Sequence, residues 1–356
     1  MIALSPNQII YKYQLQYKLG GGCFGQVWLA KDQTLDSLVA LKIIDDPNQS
    51  IIQQLEEARI GNKLNHPNVC KILYADVVPI NSANYAVIAQ ELHEKGSITN
   101  YLNSYNFLNI KSAIKVVQEL LCGLEHLHYN NVIHNDIKPS NILINNFGVA
   151  LLTDYGISSY SPSCVPMAPK NVYVIHEAPE TASANPVISF STDIYQMGLT
   201  LYRLVNGVTC LENEYNKLGY IAFNQAKLKG KLITSGSYLG FIPSSIKRII
   251  NKCVAPNPND RYSSALEMRR DIEKLQFRGA WDVNSNGKMI GCGNAYDYIY
   301  DIHPKQNGLY DFIANKIKKV SNRQTKISEY CRVNVNKKDL DRIKKEFFKY
   351  VIENAL

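Results

Sequence analysis

Along the first ninety residues the apolar positions alternate more often than they cluster. Tyr13, Leu15, Tyr17 and Leu19 are separated by single polar residues, the two-residue period of a half-buried strand. A second strand-like stretch runs through Leu29, a third covers Leu38 to Ile44, and Tyr85 to Ala89 reads as a buried strand. Between them, residues from about Gln49 to Leu64 favour a helix that stops before His66-Pro67, since proline disfavours helical backbone in the residue ahead of it. The period then lengthens. Ile110, Ile114, Val117, Leu121 and Leu124 mark one face of a long helix, and the chain from Asp193 to Val205 is apolar nearly all round, as in a helix buried at a domain centre. Tyr296, Tyr298 and Tyr300 return to strand alternation. Leu340, Ile343, Phe347 and Val351 line one face of a terminal helix, with Lys338, Arg342, Lys345 and Lys349 nearly opposite. No internal repeat or low-complexity tract interrupts this order.

At 356 residues the chain can bury one or two sizeable cores. An apolar share of 46% with 20% charged residues is that of a soluble globular protein. No apolar run reaches the ~18 residues of a membrane span. Residues 1–8 carry neither a basic nor an apolar leader region, so no secretory signal is expected. The eight cysteines lack Cys-x-x-Cys spacing and read as thiols of a reducing compartment, which leaves the Asn48-Gln49-Ser50 sequon idle. Charge is placed unevenly. The whole chain has 39 Lys or Arg against 31 Asp or Glu, +8; from Pro304 onward 13 stand against 6, so +7 belongs to the tail. A nearly neutral body with a basic tail is the result.

Two tempting metal signals fail. Asp282-Val283-Asn284-Ser285-Asn286-Gly287 imitates the start of a calcium loop, but position twelve is Gly293 where a bidentate glutamate is required. A turn between strands is expected there. His126 and His128 are two apart and face different sides of a helix.

The strongest chemical signal is the run from Ile133 to Asn141, with Asp136, Lys138 and Asn141 in one short loop. A carboxylate, an ammonium and an amide so spaced can orient a hydroxyl, touch a terminal phosphate and hold a metal ion. Gly20, Gly22 and Gly25 form a G-x-G-x-x-G pattern, weak by itself. Its context is informative: the glycines lie between two strands, whereas a dinucleotide site needs a strand before and a helix after. Lys42 follows Gly20 by 22 residues inside Val39-Ala40-Leu41-Lys42.

Together with Asp154-Tyr155-Gly156, Ala178-Pro179-Glu180, Asp193 and Arg261, these motifs stand in the order of the eukaryotic-type (Hanks-type) protein kinases, which the chain resembles from about Tyr13 to Phe277. The resemblance implies an α+β, bilobal protein kinase fold: an N-terminal arm over 1–12, a β-rich N-lobe with one helix and the hinge over 13–92, and a mainly helical C-lobe over 93–277. A basic extension over 278–356, ending in the amphipathic helix, lies outside it.

Carried over residue by residue, the resemblance implies ATP and Mg²⁺ as cofactors. Leu19, Gly20, Gly22, Gly25, Val27 and Ala40 would surround the nucleotide, with Val27 and Ala40 on the adenine. Lys42 would grip the α- and β-phosphates and pair with a helix carboxylate, Glu57 by its ten-residue offset from Pro67, with Glu56 as the alternative. Gln90 would be the gatekeeper, and Glu91 and Leu92 the hinge. Asp136 would orient the substrate hydroxyl and accept its proton, Lys138 would neutralise the transferred phosphoryl group, and Asn141 and Asp154 would bind the metal. Glu180 and Arg261 look like a buried structural ion pair, and His134 like a packed core residue. Lysine two residues after Asp136 resembles the serine/threonine pattern.

Four departures qualify this. Asn135 replaces the arginine that usually receives an activation-loop phosphate (a non-RD loop), so the loop is expected to be competent unphosphorylated despite Ser158, Ser159, Ser161 and Ser163. Tyr155 replaces phenylalanine. Tyr173 stands where such kinases usually carry a threonine, which weakens the acceptor assignment. Gly61 takes a spine position usually bulky and apolar, if Glu57 is the partner. Ser97 and Ser140 stand where basophilic kinases place acidic residues, so strong selection for arginine-rich sites is not expected.

The reading is an ATP-dependent serine/threonine protein kinase. A pseudokinase scaffold is disfavoured by retention of Lys42, Asp136, Asn141 and Asp154. A small-molecule phosphotransferase is disfavoured by Ala178-Pro179-Glu180, Asp193 and Arg261. The partner is a protein substrate, with no nucleic acid expected. The basic terminal helix is expected to pack on the large lobe with its lysines in water, with docking to a membrane or acidic partner as the alternative. A cytoplasmic location follows, or delivery into a host cytosol if the source is microbial, as the abundance of Asn, Ile, Lys and Tyr hints. Nothing in the chain fixes the substrate or oligomeric state.

Overall fold

The computed structural model describes residues 2–22, 25–46, 50–81, 83–154, 159–160, 173–182 and 185–355. The chain divides into two compact units. The first comprises Met1–Asn100, Glu119–Met197 and Pro256–Glu267; the second comprises Tyr101–Gln118, Gly198–Ala255 and Met268–Leu356.

The first unit opens with six antiparallel strands, β1 (Ile9–Ile10), β2 (Tyr13–Gly22), β3 (Gly25–Asp32), β4 (Ser37–Ile44), β5 (Ile72–Ile80) and β6 (Ala83–Glu91), in the order β1-β2-β3-β4-β6-β5. Alternation sends Leu15, Trp28, Ala30, Val39, Leu41, Ile43, Val87 and Ala89 into one core. Each large apolar side chain buried there stabilises by about 1.5–3 kcal/mol. β5 is a strand that periodicity did not predict, because Asp76 and Pro79 interrupt its apolar run. Proline is tolerated there since β5 is the sheet edge. Residues 2–10 lie on this sheet: Ile2 and Leu4 pack against its core, and Gln26 Nε2 donates to the Ile2 carbonyl at 2.7 Å.

The single helix expected over 49–64 is instead two short pieces, α1 (Ile51–Gln54) and α2 (Glu56–Gly61). Between them Leu55 has φ −78° and ψ −6°, the shallow ψ of a tightened turn, which opens the regular ladder. The helix stops before His66 as expected, ending at Gly61 rather than near Leu64, through tight turns in which Lys63 N–H bonds the Ile60 carbonyl and Leu64 N–H the Gly61 carbonyl. Gly61 faces β5 so closely that a Cβ would lie 2.3 Å from Ile72 Cδ1; Ile72 fills the volume that a bulky residue at 61 would take.

The rest of this unit includes β7 (Val132–Ile133), the hairpin strands β8 (Ile142–Ile144) and β9 (Ala150–Leu152), and β10 (Ser159–Tyr160), which pairs with β7. α3 (Ile110–Tyr129) and α4 (Phe190–Asn206), each of which contributes residues to both units, match the two long periodic helices. His134 is fully buried, as a packed residue should be.

The second unit contains α5 (Cys210–Leu228), kinked at Gly219, then α6 (Ser244–Cys253), and beyond α7 (Ala265–Glu273) a further antiparallel sheet. Its strands are β11 (Ala280–Val283), β12 (Met289–Cys292), β13 (Tyr296–Pro304), β14 (Tyr310–Lys318), β15 (Gln324–Lys326) and β16 (Arg332–Val335). The turn expected within 282–287 joins β11 to β12 over 284–287, Asp282 and Val283 belonging to β11, with Asn284 N–H donating to the Lys288 carbonyl at 2.9 Å. α8 (Lys337–Asn354) starts at Asn336, whose side chain caps the Asp339 N–H at 2.9 Å.

This helix packs chiefly on the new sheet and also on Phe241, within the span expected for the large lobe, whose ring centroid lies 6.0 Å from that of Phe348. Leu340, Ile343, Phe347, Phe348, Val351 and Ile352 close over Trp281, Tyr298, Phe312 and Ala314 of the new sheet. Trp281 Nε1 donates to the Phe348 carbonyl at 3.1 Å, and a Cβ at Gly279 would lie 2.3 Å from the Val351 carbonyl. The sheet supplies the apolar face that periodicity alone could not locate. Within the same unit Asp282 accepts from Asn103 and Asn109 Nδ2, each at 2.9 Å, and Lys111 Nζ donates to the Arg278 carbonyl at 2.7 Å. Lys338, Arg342, Lys345 and Lys349 are exposed; Arg342 pairs with Asp339 at 3.1 Å and Lys349 with Glu353 at 3.8 Å.

Candidate active site

The candidate residues meet within the first unit. Strand pairing arranges the first group. β3 and β4 set Val27 opposite Lys42 and Leu29 opposite Ala40, while β4 and β6 set Ala40 opposite Gln90. Side chains two apart share a sheet face, so Val27, Ala40 and Lys42 lie opposite the face of Trp28, Leu41 and Ile43. Leu19 is exposed, Val27 and Ala40 half-buried, and Gln90 buried at the end of β6 beside exposed Glu91 and half-buried Leu92.

The glycine-rich segment is the β2–β3 hairpin, with Gly20 opposite Val27 and Gly22 opposite Gly25. Gly25 has φ +139°, and a Cβ there would lie 2.1 Å from the Ile43 carbonyl, so only glycine fits. Nothing lies within 4 Å of a Cβ built at Gly20. Residues 23–24 lie outside the described structure.

The second group is arranged by a hairpin and a helix start. Asn141 immediately precedes β8 and Asp154 follows β9 by two residues, so pairing Ile142 with Leu152 brings the two together. Thr153 N–H donates to the Asn141 carbonyl at 3.1 Å. Asp154 adopts φ +68°, and Lys42 Nζ reaches its Oδ1 at 2.6 Å. Lys42 and Asp154 thus meet across 112 residues of sequence. Glu56 and Glu57 stand in α2, but their side chains, like Tyr155 and Gly156, lie outside the described residues.

The loop holding Asp136 is tied to α4. Asp193 Oδ1 accepts Asn135 N–H at 2.7 Å, while Oδ2 accepts His134 N–H at 2.9 Å and His128 Nε2 at 2.8 Å. Gln196 Oε1 accepts Ile137 N–H at 2.9 Å, and its Nε2 donates to the Asn135 carbonyl at 2.8 Å. Gln196 was missed in the sequence. Its signal is the spacing of three from Asp193, which puts both on one helix face. Asn135 has φ +62°, a region that asparagine tolerates better than most residues, and its side chain is 1% exposed.

The two oxygens of Asp136 differ. Oδ2 accepts Lys138 Nζ and Asn141 Nδ2, each at 2.8 Å. Oδ1 is buried and has no hydrogen-bond partner among the described residues. Asn141 Nδ2 also donates to the Asp136 carbonyl at 3.0 Å, so the amide nitrogen faces the loop. The Asn141 side-chain oxygen and the Asp154 carboxylate are hard oxygen donors of the kind Mg²⁺ takes, and the hairpin sets the two residues at its paired ends.

Glu180 and Arg261 form a two-pronged pair, Nη1 to Oε1 at 2.8 Å and Nη2 to Oε2 at 2.7 Å, with the guanidinium 4.8 Å from the Tyr195 ring centroid. The Arg261 side chain is 0% and that of Glu180 10% exposed, so this is a buried ion pair.

The family model for the protein kinase domain matches residues 13–271. The chain belongs to the protein kinase family. The β-rich first portion and the helices that follow are this family's α+β fold, and the family uses ATP with a divalent metal. The chain is 29% identical to the serine/threonine-protein kinase PrkC of Bacillus subtilis over 276 residues, which is 76% of this chain and 41% of PrkC. It is 25% identical over 336 residues to the serine/threonine-protein kinase PknD of Chlamydia trachomatis, covering 81% of this chain and 34% of PknD. PknK of Mycobacterium tuberculosis, also a serine/threonine-protein kinase, is 24% identical over 78% of this chain and 25% of its own length. The chain therefore spans less than half the length of these relatives. No helix among the described residues is long and apolar enough to cross a membrane.

Proposed function

We propose that this chain transfers the γ-phosphate of ATP to serine or threonine hydroxyls of proteins. The observation that carries the reading is the divided environment of Asp136, with Oδ2 fixed by Lys138 and Asn141 and Oδ1 buried without a partner among the described residues. A substrate hydroxyl that takes up the open acceptor capacity of Oδ1, once that atom is uncovered on substrate binding, would be oriented toward the phosphate and pass its proton to the carboxylate. Lys138, 2.8 Å from the same carboxylate, would supply positive charge for the transferred group.

Lys42 would hold the α- and β-phosphates, and its 2.6 Å contact with Asp154 supports a shared role for the ammonium and the carboxylate around phosphate and metal. Asn141 and Asp154 would hold Mg²⁺, which neutralises phosphate charge when bound. Leu19, Val27, Ala40, Gln90, Glu91 and Leu92 would enclose the adenine, and Glu57 would pair with Lys42. The Gly20–Gly25 hairpin would cover the phosphates with backbone, since side chains there would obstruct the approach.

Serine and threonine as acceptors are supported by lysine at 138 and by the names of PrkC, PknD and PknK. The intact set of Lys42, Asp136, Asn141 and Asp154 speaks against a pseudokinase scaffold. The Glu180–Arg261 pair and Asp193 speak against a small-molecule phosphotransferase. A cytosolic site of action fits the described cysteines, which form no disulfide among themselves. The test is phosphoamino-acid analysis of a protein mixture labelled by the purified chain with radioactive ATP and Mg²⁺. Phosphoserine and phosphothreonine are expected; label confined to phosphotyrosine or to small molecules would overturn the acceptor assignment.

A further inference from the structure

Lys138 has a second neighbour besides Asp136. Its Nζ sits 4.7 Å from the centroid of the Tyr173 ring, within the ~6 Å over which an ammonium is attracted to a ring face. That ring is itself held. It stacks on His176 with centroids 5.9 Å apart and planes at 28°, and the His176 N–H donates to the Tyr173 carbonyl at 2.8 Å. His176 is fully buried and its Nδ1 donates to the Ile137 carbonyl at 2.8 Å. Ile137 lies between Asp136 and Lys138, so the chain of contacts closes on the loop that bears the lysine.

We infer that Tyr173 is a positioning residue: its ring face keeps the Lys138 ammonium on Asp136 Oδ2, and so keeps Oδ1 aimed at the acceptor. The inference rests on the proposed phosphotransfer. The physical need is clear from the pair itself. Lys138 and Asp136 side chains are 20% and 11% exposed, and a single contact from a flexible lysine stem in partial solvent holds geometry weakly. A second attraction, from an aromatic face fixed to the same loop, restricts the ammonium without competing for the carboxylate. The phenolic hydroxyl has no part in this, because the attraction comes from the ring quadrupole. At 36% exposure Tyr173 can be replaced without opening a buried cavity.

The experiment uses the full chain with Mg-ATP and a mixed serine/threonine peptide library, measuring kcat and KM for ATP. Tyr173→Phe should stay within about twofold of wild type, since the ring is retained. Tyr173→Leu should lower kcat about five- to thirtyfold, with KM for ATP changed less than about twofold. On a Lys138→Gln background, Tyr173→Leu should change kcat by less than about twofold, because the contact is already gone. If Tyr173→Leu does not melt cooperatively, Tyr173→Gln serves in its place. An equal loss in Tyr173→Phe, an undiminished Tyr173→Leu, or a loss that persists on the Lys138→Gln background would overturn the inference alone. Absence of transfer by wild type would overturn the functional reading on which it stands.

Discussion

The backbone N–H of Asn135 donates to the buried carboxylate of Asp193 at 2.7 Å, so the first turn of α4 sets the height of the loop that carries Asp136. Asp193 also takes the His134 N–H and the His128 ring, three donors on one carboxylate. Asp193→Ala would leave them buried without an acceptor, at a cost of about 3–5 kcal/mol. Urea unfolding should report that loss, and turnover should fall with it. A variant as stable as wild type would show that the anchor is unimportant.

Lys42 tests the site without touching the core. Lys42→Met should lower kcat/KM by about a hundredfold or more, the usual scale for removing one fixed charge from a phosphoryl-transfer site. Its melting temperature should stay near that of wild type, since the aliphatic stem is retained. Comparable turnover in both proteins would remove Lys42 from the nucleotide site.

Loop phosphorylation should not be required. Asn135 offers no guanidinium, and its side chain is almost wholly buried. Phosphatase-treated enzyme should keep its initial rate within about twofold, because no arginine at this position gains a phosphate contact. A rate that vanishes on dephosphorylation would contradict this.

The kinase motifs were legible in the sequence because phosphoryl transfer needs particular side chains at short, fixed offsets, as in Asp136, Lys138 and Asn141. The strands around Leu15, Leu29 and Leu41 were legible because one face is buried and the other is not. What was not legible depends on long-range contact. Periodicity showed that α8 has an apolar face at Leu340, Ile343 and Phe347 but not that Trp281 and Phe312 would meet it. The break at Leu55 turns on backbone angles that no residue type announces. Tyr173 was noted as a departure, but its place against Lys138 needs the His176–Ile137 contact to be seen.

The extension belongs to the stability of the second unit. Gly279→Ala would push a methyl group against the Val351 carbonyl of α8, where helix backbone cannot give way. A loss of about 1–3 kcal/mol is expected by differential scanning calorimetry and denaturant unfolding. An unchanged transition would mean that α8 is not packed on β11 as described.

Acid should weaken the first unit through His66. Burial, with a smaller contribution from the neighbouring His126, holds its pKa below the ordinary value, and its Nδ1 accepts the Asn68 N–H at 3.1 Å, which requires a neutral ring. The unfolded chain therefore binds a proton more readily, and stability should fall as pH drops below about 6.5. His66→Gln should flatten the decline in melting temperature between about pH 7 and pH 5. An identical slope in both proteins would assign the acid sensitivity elsewhere.

The most direct measurement of the central claim is transfer of radiolabelled phosphate from ATP to a degenerate peptide array by wild type and by Asp136→Asn. The geometry around Asp136 predicts serine- and threonine-dependent signal from wild type and its near-complete loss in the variant. Equal signal from both proteins would contradict it.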